Sequence, residues 1–330
     1  MPARPGPANL ITDVSGILVG NAHDSSVGTG VTVIRPTRRA VAAVAVAGGG
    51  PGTRETDALA ADTLVDSVDA IVLSGGSVYG LAAADGVTAA LGAAGQGFAM
   101  RATPGIPVSP IVPAAILYDL ANGGDKAWGE APPYRTLGMA ALKAASERFD
   151  LGRAGAGFGA RAGADRGGGG SASIATDDGL VVGALAAVNS FGAVRMPGTD
   201  AYWAWPYEQD GEFGGERPPA DFSLDLDDWG AAKIDPAHAA TGRRNTTLGC
   251  IAVNVALSAP EAQRVAKMAL AGFARAIRPV FSPVDGDVVF CLSTAAVERP
   301  EPRPVMLARL GELAAACLAR AVARGVFAAL

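Results

Sequence analysis

The sequence predicts an α+β fold, in which antiparallel strands and helices occupy different parts of the chain. Residues 8–46 alternate short apolar runs with closely spaced turn residues, a pattern typical of antiparallel β-structure. Residues 68–94 predict a strand, a tight turn and an alanine-rich helix. Residues 246–330 follow the pattern strand, helix, strand, helix, the clearest in the chain.

The individual elements follow from apolar periodicity and from turn and capping residues. The predicted strands are Asn9–Thr12, Gly16–Val19, Gly30–Ile34, Ala40–Ala47, Val68–Ser74, the strand end Ala114–Asp119, Ser171–Ala175, Leu180–Asn189, Thr246–Val255 and Val288–Leu292. The predicted helices are Leu81–Ala94, Arg135–Ala145, a helix from Ser258 to about Ile277, and one over about Val305–Phe327. Ser258 and Glu261 form a capping box, and Pro279 stops that helix. Between them, Pro197–Arg244 has few periodic segments and predicts a long loop of functional or disordered character.

Length and charge restrict the class of protein. A chain of 330 residues forms one large domain or two, with ample length for a core. The net charge of -5 and the absence of a Lys/Arg cluster argue against a nucleic-acid partner. No uncharged run reaches the roughly 20 apolar residues that cross a bilayer. The N-terminal segment lacks the apolar core of a signal peptide, so we expect a cytoplasmic protein with no membrane partner.

Cysteine and histidine are scarce. Cys250, Cys291 and Cys317 are far apart in apolar surroundings, which predicts buried thiols rather than disulfides or metal ligands. The two histidines, His23 and His238, each stand alone in polar sequence. The sequence therefore predicts no metal and no cofactor, and a hydrolase built from this chain needs a base other than histidine.

Four glycine-rich stretches are candidates for a place at a site. Gly48–Asp57 resembles a phosphate cradle but lacks the Gly-Lys-Ser/Thr ending, so a flexible loop near a site is the better interpretation. Gly75–Gly80 has one residue too many for a nucleophile elbow at Ser77, which is better explained as a helix N-terminal residue. The dense glycine of Gly152–Gly159 and Gly167–Gly170 predicts close backbone packing or the wall of a site.

The stretch Arg243–Leu248 is polar and leads directly into the apolar run Gly249–Val255. It is compatible with an ordinary strand start, and also with a chain cut before Thr246. A threonine hydroxyl needs a nearby base, and a chain N-terminal amine, with a pKa of roughly 7.7–8, can supply one. An uncut Thr246 can attack the carbonyl of Asn245, forming an ester that water then opens. This chemistry requires no histidine.

Asp285 and Asp287 flank a tight turn before the last predicted strand. They can orient the threonine hydroxyl and hold the ammonium form of the freed amine. A simple Asp-Gly-Asp hairpin turn explains the same residues, and spacing alone favours that explanation.

Seven stretches together resemble the DmpA-type self-processing aminopeptidases. This family includes the β-peptidyl aminopeptidases and the endo-type 6-aminohexanoate oligomer hydrolase. The stretches are Ile11–Gly16, Leu73–Gly86, Val112–Asp119, Gly155–Gly157, Ala187–Asn189, Asn245–Leu248 and Arg278–Asp287. The resemblance covers nearly the whole chain.

This resemblance implies a four-layer αββα sandwich of the kind shared with ornithine acetyltransferases, similar to Ntn hydrolases but with its own connectivity. It implies a single domain, 1–330, that cuts itself into a large subunit, 1–245, and a small subunit, 246–330. The two fragments remain together, and the mature unit forms a homo-oligomer, a tetramer by resemblance.

The resemblance also implies roles for individual residues. Thr246, rather than Thr247, is the nucleophile, with Asp285 and Asp287 beside it. Asn189 matches an oxyanion-stabilising asparagine, and Tyr118 matches a tyrosine that lines the site and orients groups.

One position departs from the family. Relatives carry a lysine where this chain has Ala164 or Arg166, depending on the branch of the family. Arginine stays protonated and cannot act as a base, which affects the expected processing rate and substrate preference.

The expected function is hydrolysis of a small peptide or another amide through an acyl-enzyme on Thr246. One alternative is an acyltransferase of the ornithine acetyltransferase type, which passes the acyl group to an amine. The other is an uncleaved homologue without catalytic activity.

Overall fold

Two β-sheets stack face to face in the computed structural model, which describes residues 3–65, 67–101, 103–233, 245–298 and 303–330. The strands within these ranges are β1 (Ala3–Arg4), β2 (Ile17–Asp24), β3 (Thr29–Pro36), β4 (Ala40–Val46), β5 (Thr53–Arg54), β6 (Ser67–Val68), β7 (Ile71–Ser74), β8 (Ala114–Ile116), β9 (Arg161–Ala162), β10 (Asp165–Arg166), β11 (Gly169–Thr176), β12 (Val181–Asn189), β13 (Thr246–Val255) and β14 (Val288–Val297). The larger sheet has the order β1-β11-β12-β13-β14-β4-β6, and the smaller has the order β2-β3-β7-β8-β5. Strands β9 and β10 form a separate ribbon.

Helices cover the outer face of each sheet. They are α1 (Ala82–Ala93), α2 (Tyr134–Lys143), α3 (Ala259–Ala276) and α4 (Arg303–Phe327). Helices α1 and α2 pack on the smaller sheet, and α3 and α4 pack on the larger one. No helix in the described ranges is long and apolar enough to span a bilayer.

Three apolar cores separate the layers. One lies between the larger sheet and helices α3 and α4, and another between the smaller sheet and helices α1 and α2. The central core joins the two sheets, with Ile17 and Leu73 from the smaller sheet packed among Leu248 and Phe290 from the larger. This arrangement is the four-layer αββα sandwich, so the predicted fold is confirmed.

Two predicted strands differ from the structure. Asn9–Thr12 is not a strand, because Ile11–Asp13 forms a single 3₁₀ turn whose Asp13 carboxylate accepts the Ala8 N–H at 2.9 Å. Val68–Ser74 is not one strand, because its two ends pair in different sheets, as β6 and β7. Buried Asp69 lies between them and accepts the Ile111 N–H at 2.8 Å.

The predicted strand–helix–strand–helix pattern of residues 246–330 is confirmed. Strand β13 is buried at all ten of its positions. It pairs antiparallel with β12 on one side and parallel with β14 on the other, which places it in the middle of the larger sheet. Strand β14 pairs in turn with β4. The three cysteines are buried and unpaired, as predicted.

The predicted loop Pro197–Arg244 is described as far as Lys233. Over residues 197–233 it contains a single short turn of 3₁₀ helix, Trp205–Tyr207. Its Glu212 carboxylate accepts hydrogen bonds from Arg320 of α4 and from the Asn9 side chain. The predicted exposed approach to the cut, Thr241–Arg244, lies outside the described residues.

Candidate functional site

Thr246 is the first residue of β13 and lies at the end of the larger sheet where three strands meet. Its Cα is paired with that of Asn189, the last residue of β12. On the other side, β14 begins just after Asp287. Because these strands are neighbours, the sheet brings together residues that are far apart in sequence. Thr246 is only 3% exposed.

The Thr246 hydroxyl donates a hydrogen bond to the main-chain carbonyl oxygen of Asn245. Asn245 is itself buried. The side chain therefore lies against the carbonyl group of the Asn245–Thr246 bond, the bond predicted to be cut.

Asp285 and Asp287 are both buried, and their carboxylates accept main-chain N–H groups around Thr246. Asp287 accepts the Thr247 N–H at 2.7 Å and the Phe281 N–H at 3.3 Å. Asp285 accepts the Phe191 N–H at 3.1 Å and the Ser282 hydroxyl at 2.7 Å. A simple hairpin turn does not require these contacts with other segments, so turn formation alone does not explain the two aspartates.

Burial and mutual repulsion disfavour two negative charges at this turn. Burial raises the pKa of Asp285 above its usual value. Burial, and next the neighbouring Asp285, raise the pKa of Asp287 as well. The pair therefore holds a proton more readily than two exposed carboxylates do.

The glycine-rich loop after β4 closes over this acidic turn. The Gly50 N–H donates to the Asp285 carbonyl at 2.7 Å, and the Ala47 N–H donates to the Asp287 carbonyl at 2.9 Å. A Cβ on Gly48 would lie 2.5 Å from the Asp285 carbonyl oxygen, so only glycine fits there. The loop that was expected near a site therefore lies against the turn that carries the two aspartates.

The side-chain amide of Asn189 is oriented by main-chain groups on two segments. Its Oδ1 accepts the Arg161 N–H at 2.9 Å, and its Nδ2 donates to the Tyr118 carbonyl at 3.0 Å. Tyr118 thus contacts Asn189 through its main-chain carbonyl group. Within the described part of the chain its phenol makes no hydrogen bond, and its side chain is half-buried.

Lys233 also contacts residues beside Thr246, and the sequence analysis did not predict it. Its Nζ donates to the Asn245 side-chain Oδ1 at 3.0 Å and to the Asn189 carbonyl at 3.3 Å. Burial lowers the pKa of Lys233 to about 7, while the Asp285 charge opposes this change and the Arg161 charge adds to it. The only available signal was a lysine in a long loop that leads to Asn245.

The two positions that depart from the family pattern are outside this contact network. Ala164 and Arg166 are both exposed and lie in the ribbon of β9 and β10 or its turn. The Ala164 main chain is used, however, because its N–H donates to the Ala231 carbonyl at 2.6 Å and so holds the segment that carries Lys233.

The rejected candidates lie elsewhere. No described hydrogen bond links Ser77 to Thr246, and the Ser77 N–H donates to the Leu117 carbonyl at 2.9 Å. His23 stacks on Phe158 at 4.4 Å between ring centroids. His238 lies outside the described residues. Among the residues that the structure describes, no group of three or more His, Cys, Asp or Glu side chains is arranged to hold a metal ion.

Comparisons with known proteins identify the family of this chain. Residues 9–330 match Peptidase family S58, so the chain belongs to that family. An uncharacterized aminopeptidase of Mycobacterium tuberculosis is 43% identical over 335 residues, which cover 96% of this chain and 93% of the relative. A 6-aminohexanoate-oligomer endohydrolase of a Kocuria species is 30% identical over 307 residues, covering 89% of this chain and 78% of the relative.

Solved structures share the fold at lower identity. A β-aminopeptidase of a Burkholderia species gives a TM-score of 0.70 at 20% identity, covering 98% of this chain and 88% of that one. An L-aminopeptidase D-Ala-esterase/amidase from Ochrobactrum anthropi, described as a new variant among the Ntn hydrolase fold, gives 0.69 at 17% identity, with coverages of 100% and 88%. The resemblance to DmpA-type aminopeptidases is thus confirmed, and membership of a peptidase family favours hydrolysis over acyl transfer.

Proposed function

We propose that the chain cuts itself between Asn245 and Thr246, and that the freed Thr246 is the nucleophile of an aminopeptidase or amide hydrolase. The observation that carries the proposal is the contact of the Thr246 hydroxyl with the Asn245 carbonyl, beside two buried aspartates. In the uncut chain the hydroxyl oxygen attacks the carbonyl carbon. The C–N bond breaks, the proton passes to the Thr246 nitrogen, and water opens the resulting ester.

In the cut enzyme the α-amine of Thr246 is the base. Its ordinary pKa of roughly 7.7–8 allows it to be neutral near pH 7 and to take the hydroxyl proton. Asp285 and Asp287 orient the threonine and balance the charge of the ammonium form. The Asp287 contact with the Thr247 N–H supports this role, because it fixes the main chain one residue from the nucleophile.

Asn189 stabilises the oxyanion of the tetrahedral intermediate. Its support is the strand pairing that places it opposite Thr246, together with two main-chain contacts that hold its amide in one orientation. A donor of this kind is typically worth about 10²–10³ in rate. Tyr118 acts in this scheme as a positioning residue, through the carbonyl that accepts from Asn189.

The two fragments, 1–245 and 246–330, remain one folded unit after the cut. Strand β13 of the small fragment pairs with β12 of the large one, and β14 pairs with β4. The small fragment can separate from the large one only if both of these strand pairings break. From the resemblance we further propose that this unit assembles as a homo-tetramer in the cytoplasm, and light scattering of the purified protein tests the tetramer.

The substrate class is a small peptide or another amide. The names of the relatives support this class, since they are described as aminopeptidases and as a 6-aminohexanoate-oligomer endohydrolase.

The decisive measurement is the intact mass of the purified protein under denaturing conditions. We expect two masses, those of residues 1–245 and 246–330, and a single full-length mass after long incubation contradicts the proposal. Thr246→Ala should stay uncut and inactive, whereas Thr246→Ser should still be cut. If Thr246→Ala gives the same two fragments, a contaminating protease made the cut. Adding an amine acceptor to the hydrolysis assay separates hydrolysis from acyl transfer.

A further inference from the structure

The segment that carries Lys233 is fixed at the site by three contacts. The Lys233 N–H donates to the Phe191 carbonyl at 2.9 Å, and the Ala231 carbonyl accepts from Ala164. The ring of Trp229 meets that of Phe191 edge-on, with centroids 6.4 Å apart. Since Phe191 also donates its N–H to Asp285, the segment is connected directly to the acidic turn. The position of the Lys233 side chain is therefore set by the same main chain that holds Asp285.

The Asn245 side chain shows where the side chain of an acyl group bound to Thr246 would lie. When Thr246 attacks the carbonyl of Asn245, the product is an ester between Asn245 and the threonine oxygen. That ester is chemically the same as the acyl-enzyme formed from any amide substrate. Asn245 is thus the first acyl group that Thr246 carries, and its Oδ1 shows where an acceptor on the γ-carbon of an acyl residue lies.

We propose that Lys233 is a specificity-determining residue, whose Nζ donates to an oxygen acceptor on the γ-carbon of the substrate's acyl residue. The site then favours asparaginyl and aspartyl amides over leucyl amides, which have the same shape but no acceptor. This inference rests on the proposed function, because it uses the acyl-enzyme on Thr246. Its geometric basis is the 3.0 Å contact from Nζ to the Asn245 Oδ1.

The lysine is suited to this task in either protonation state. The pKa of about 7 means that the ammonium and the neutral amine are both present near neutral pH, and both have N–H groups to donate. The second contact, to the Asn189 carbonyl at 3.3 Å, keeps Nζ at the site when Asn245 has been released. A leucyl side chain there leaves the lysine without one of its two acceptors, which is costly for a buried polar group.

The test compares asparaginyl and leucyl p-nitroanilides, whose side chains are isosteric. For the cut wild-type enzyme we expect kcat/KM to favour the asparaginyl substrate by about tenfold to a hundredfold, the range of a hydrogen bond to a charged donor. Lys233→Met should bring the ratio close to one, and Lys233→Arg should restore part of it. Lys143→Met, at the exposed end of α2, is the matched control and should leave the ratio unchanged.

A wild-type ratio near one, or an unchanged ratio in Lys233→Met, overturns the inference. The two kcat/KM values in each ratio are measured on the same enzyme, so a general loss of activity lowers both and leaves the ratio unchanged. If Lys233→Met is cut too slowly to yield enough cut enzyme for the substrate assay, the half-time of self-cleavage is measured instead of the substrate ratio. The variants are then Lys233→Met, Asn245→Leu and the double substitution.

The inference expects Lys233→Met to slow self-cleavage of the Asn245 chain about tenfold or more, and to slow that of the Asn245→Leu chain much less. Equal slowing of both contradicts it. Failure of the proposed function looks different, because the wild type then shows neither the 246–330 fragment nor hydrolysis of any amide. A wild type that is cut and active, but shows no preference that depends on Lys233, contradicts the Lys233 inference alone.

Discussion

Gly286 lies so close to Thr246 that a Cβ at position 286 would be 2.7 Å from the threonine Oγ1. The same Cβ would be 2.7 Å from the Gly50 carbonyl oxygen. The residue between the two aspartates is therefore required to be small by the Thr246 side chain on one side and by the glycine-rich loop on the other. The Gly50 carbonyl belongs to the main chain and cannot easily move away, and rotation of the Thr246 hydroxyl would break its contact with the Asn245 carbonyl.

Gly286→Ala should slow self-cleavage by about a hundredfold, since a displacement of roughly 1 Å at a reacting group costs a factor of that size. The rate is measured from the fraction of full-length mass over time. Gly92→Ala in α1 is the control, because a Cβ there would lie 3.7 Å from the nearest atom, Cγ of Pro110. It should cut at the wild-type rate and raise stability by about 0.5–1 kcal/mol. A normal rate in Gly286→Ala contradicts the close contact.

Asp287 predicts a dependence of stability on pH. The pKa of this carboxyl is raised in the folded state, so the folded protein holds its proton at pH values where the unfolded chain has lost it. The contribution of this carboxyl to the free energy of unfolding should therefore fall as pH rises from about 4 through the raised pKa. A pKa that differs by one pH unit between the folded and unfolded states changes this free energy by about 1.4 kcal/mol. Asp287→Asn should reduce this decrease in stability with pH. Part of the decrease should remain, because the pKa of Asp285 is raised too.

This measurement is made by chemical denaturation at pH 5 and pH 8 in the Thr246→Ala background, where no cut interferes. Asp221→Asn, at an exposed position, should keep the wild-type slope. An Asp287→Asn variant that loses as much stability as the wild type between the two pH values disproves the prediction.

Lys233 predicts a change of substrate preference with pH. Its ammonium form, which dominates below a pKa of about 7, attracts a carboxylate, whereas the neutral form does not. The ratio of kcat/KM for aspartyl over asparaginyl amides should therefore fall several-fold as pH rises through 7. The charged groups facing Lys233 are Asp285 and Arg161. In Lys233→Arg the ratio should stay flat, because arginine remains charged.

Glu212 and Arg320 form an ion pair across the proposed cut, between residues 1–245 and residues 246–330, so the pair should help to hold the two proposed fragments together. Arg320 is 1% exposed, donates to Glu212 at 2.9 Å and also donates to the Ser173 carbonyl at 2.8 Å. Glu212→Gln leaves a buried arginine without its counter-charge and should lower the free energy of unfolding by about 3 kcal/mol or more. The control is Glu312→Gln, which removes a similar bidentate pair with Arg275 but at a more exposed site, and should cost at most about 1 kcal/mol. Equal losses in the two variants argue against the buried pair.

Local patterns are enough to predict most elements but not their partners. The polar-to-apolar change at Thr246 predicts the start of β13, and the capping box at Ser258 predicts the start of α3. The strand prediction for Asn9–Thr12 is wrong because side-chain capping by Asp13 outweighs the β-branched residues there. Between Val68 and Leu73 only Asp69 interrupts the apolar run, and no local pattern predicts that the two halves of Val68–Ser74 join different sheets.

The site shows the same limit more sharply. Spacing alone cannot separate a solvent-exposed Asp-Gly-Asp turn from a buried pair, because the difference lies in the loop at Gly48–Gly50 that covers it. Lys233 was missed because the contacts that bring it to Asn189 and Asn245 span 44 and 12 residues. Its own neighbourhood has no periodicity from which a contact can be inferred.

If the chain is cut as proposed, the central position of β13 has a consequence for how the protein refolds after denaturation. Before the cut, folding is a unimolecular process, and β12 finds β13 on the same chain. After the cut, these neighbours belong to different molecules, so refolding of the mature form is second order in protein concentration. A denatured precursor can return to its fold at any dilution, whereas a denatured mature enzyme regains activity only where its two pieces meet. The proposed cut would therefore make refolding depend on whether a molecule has already been processed.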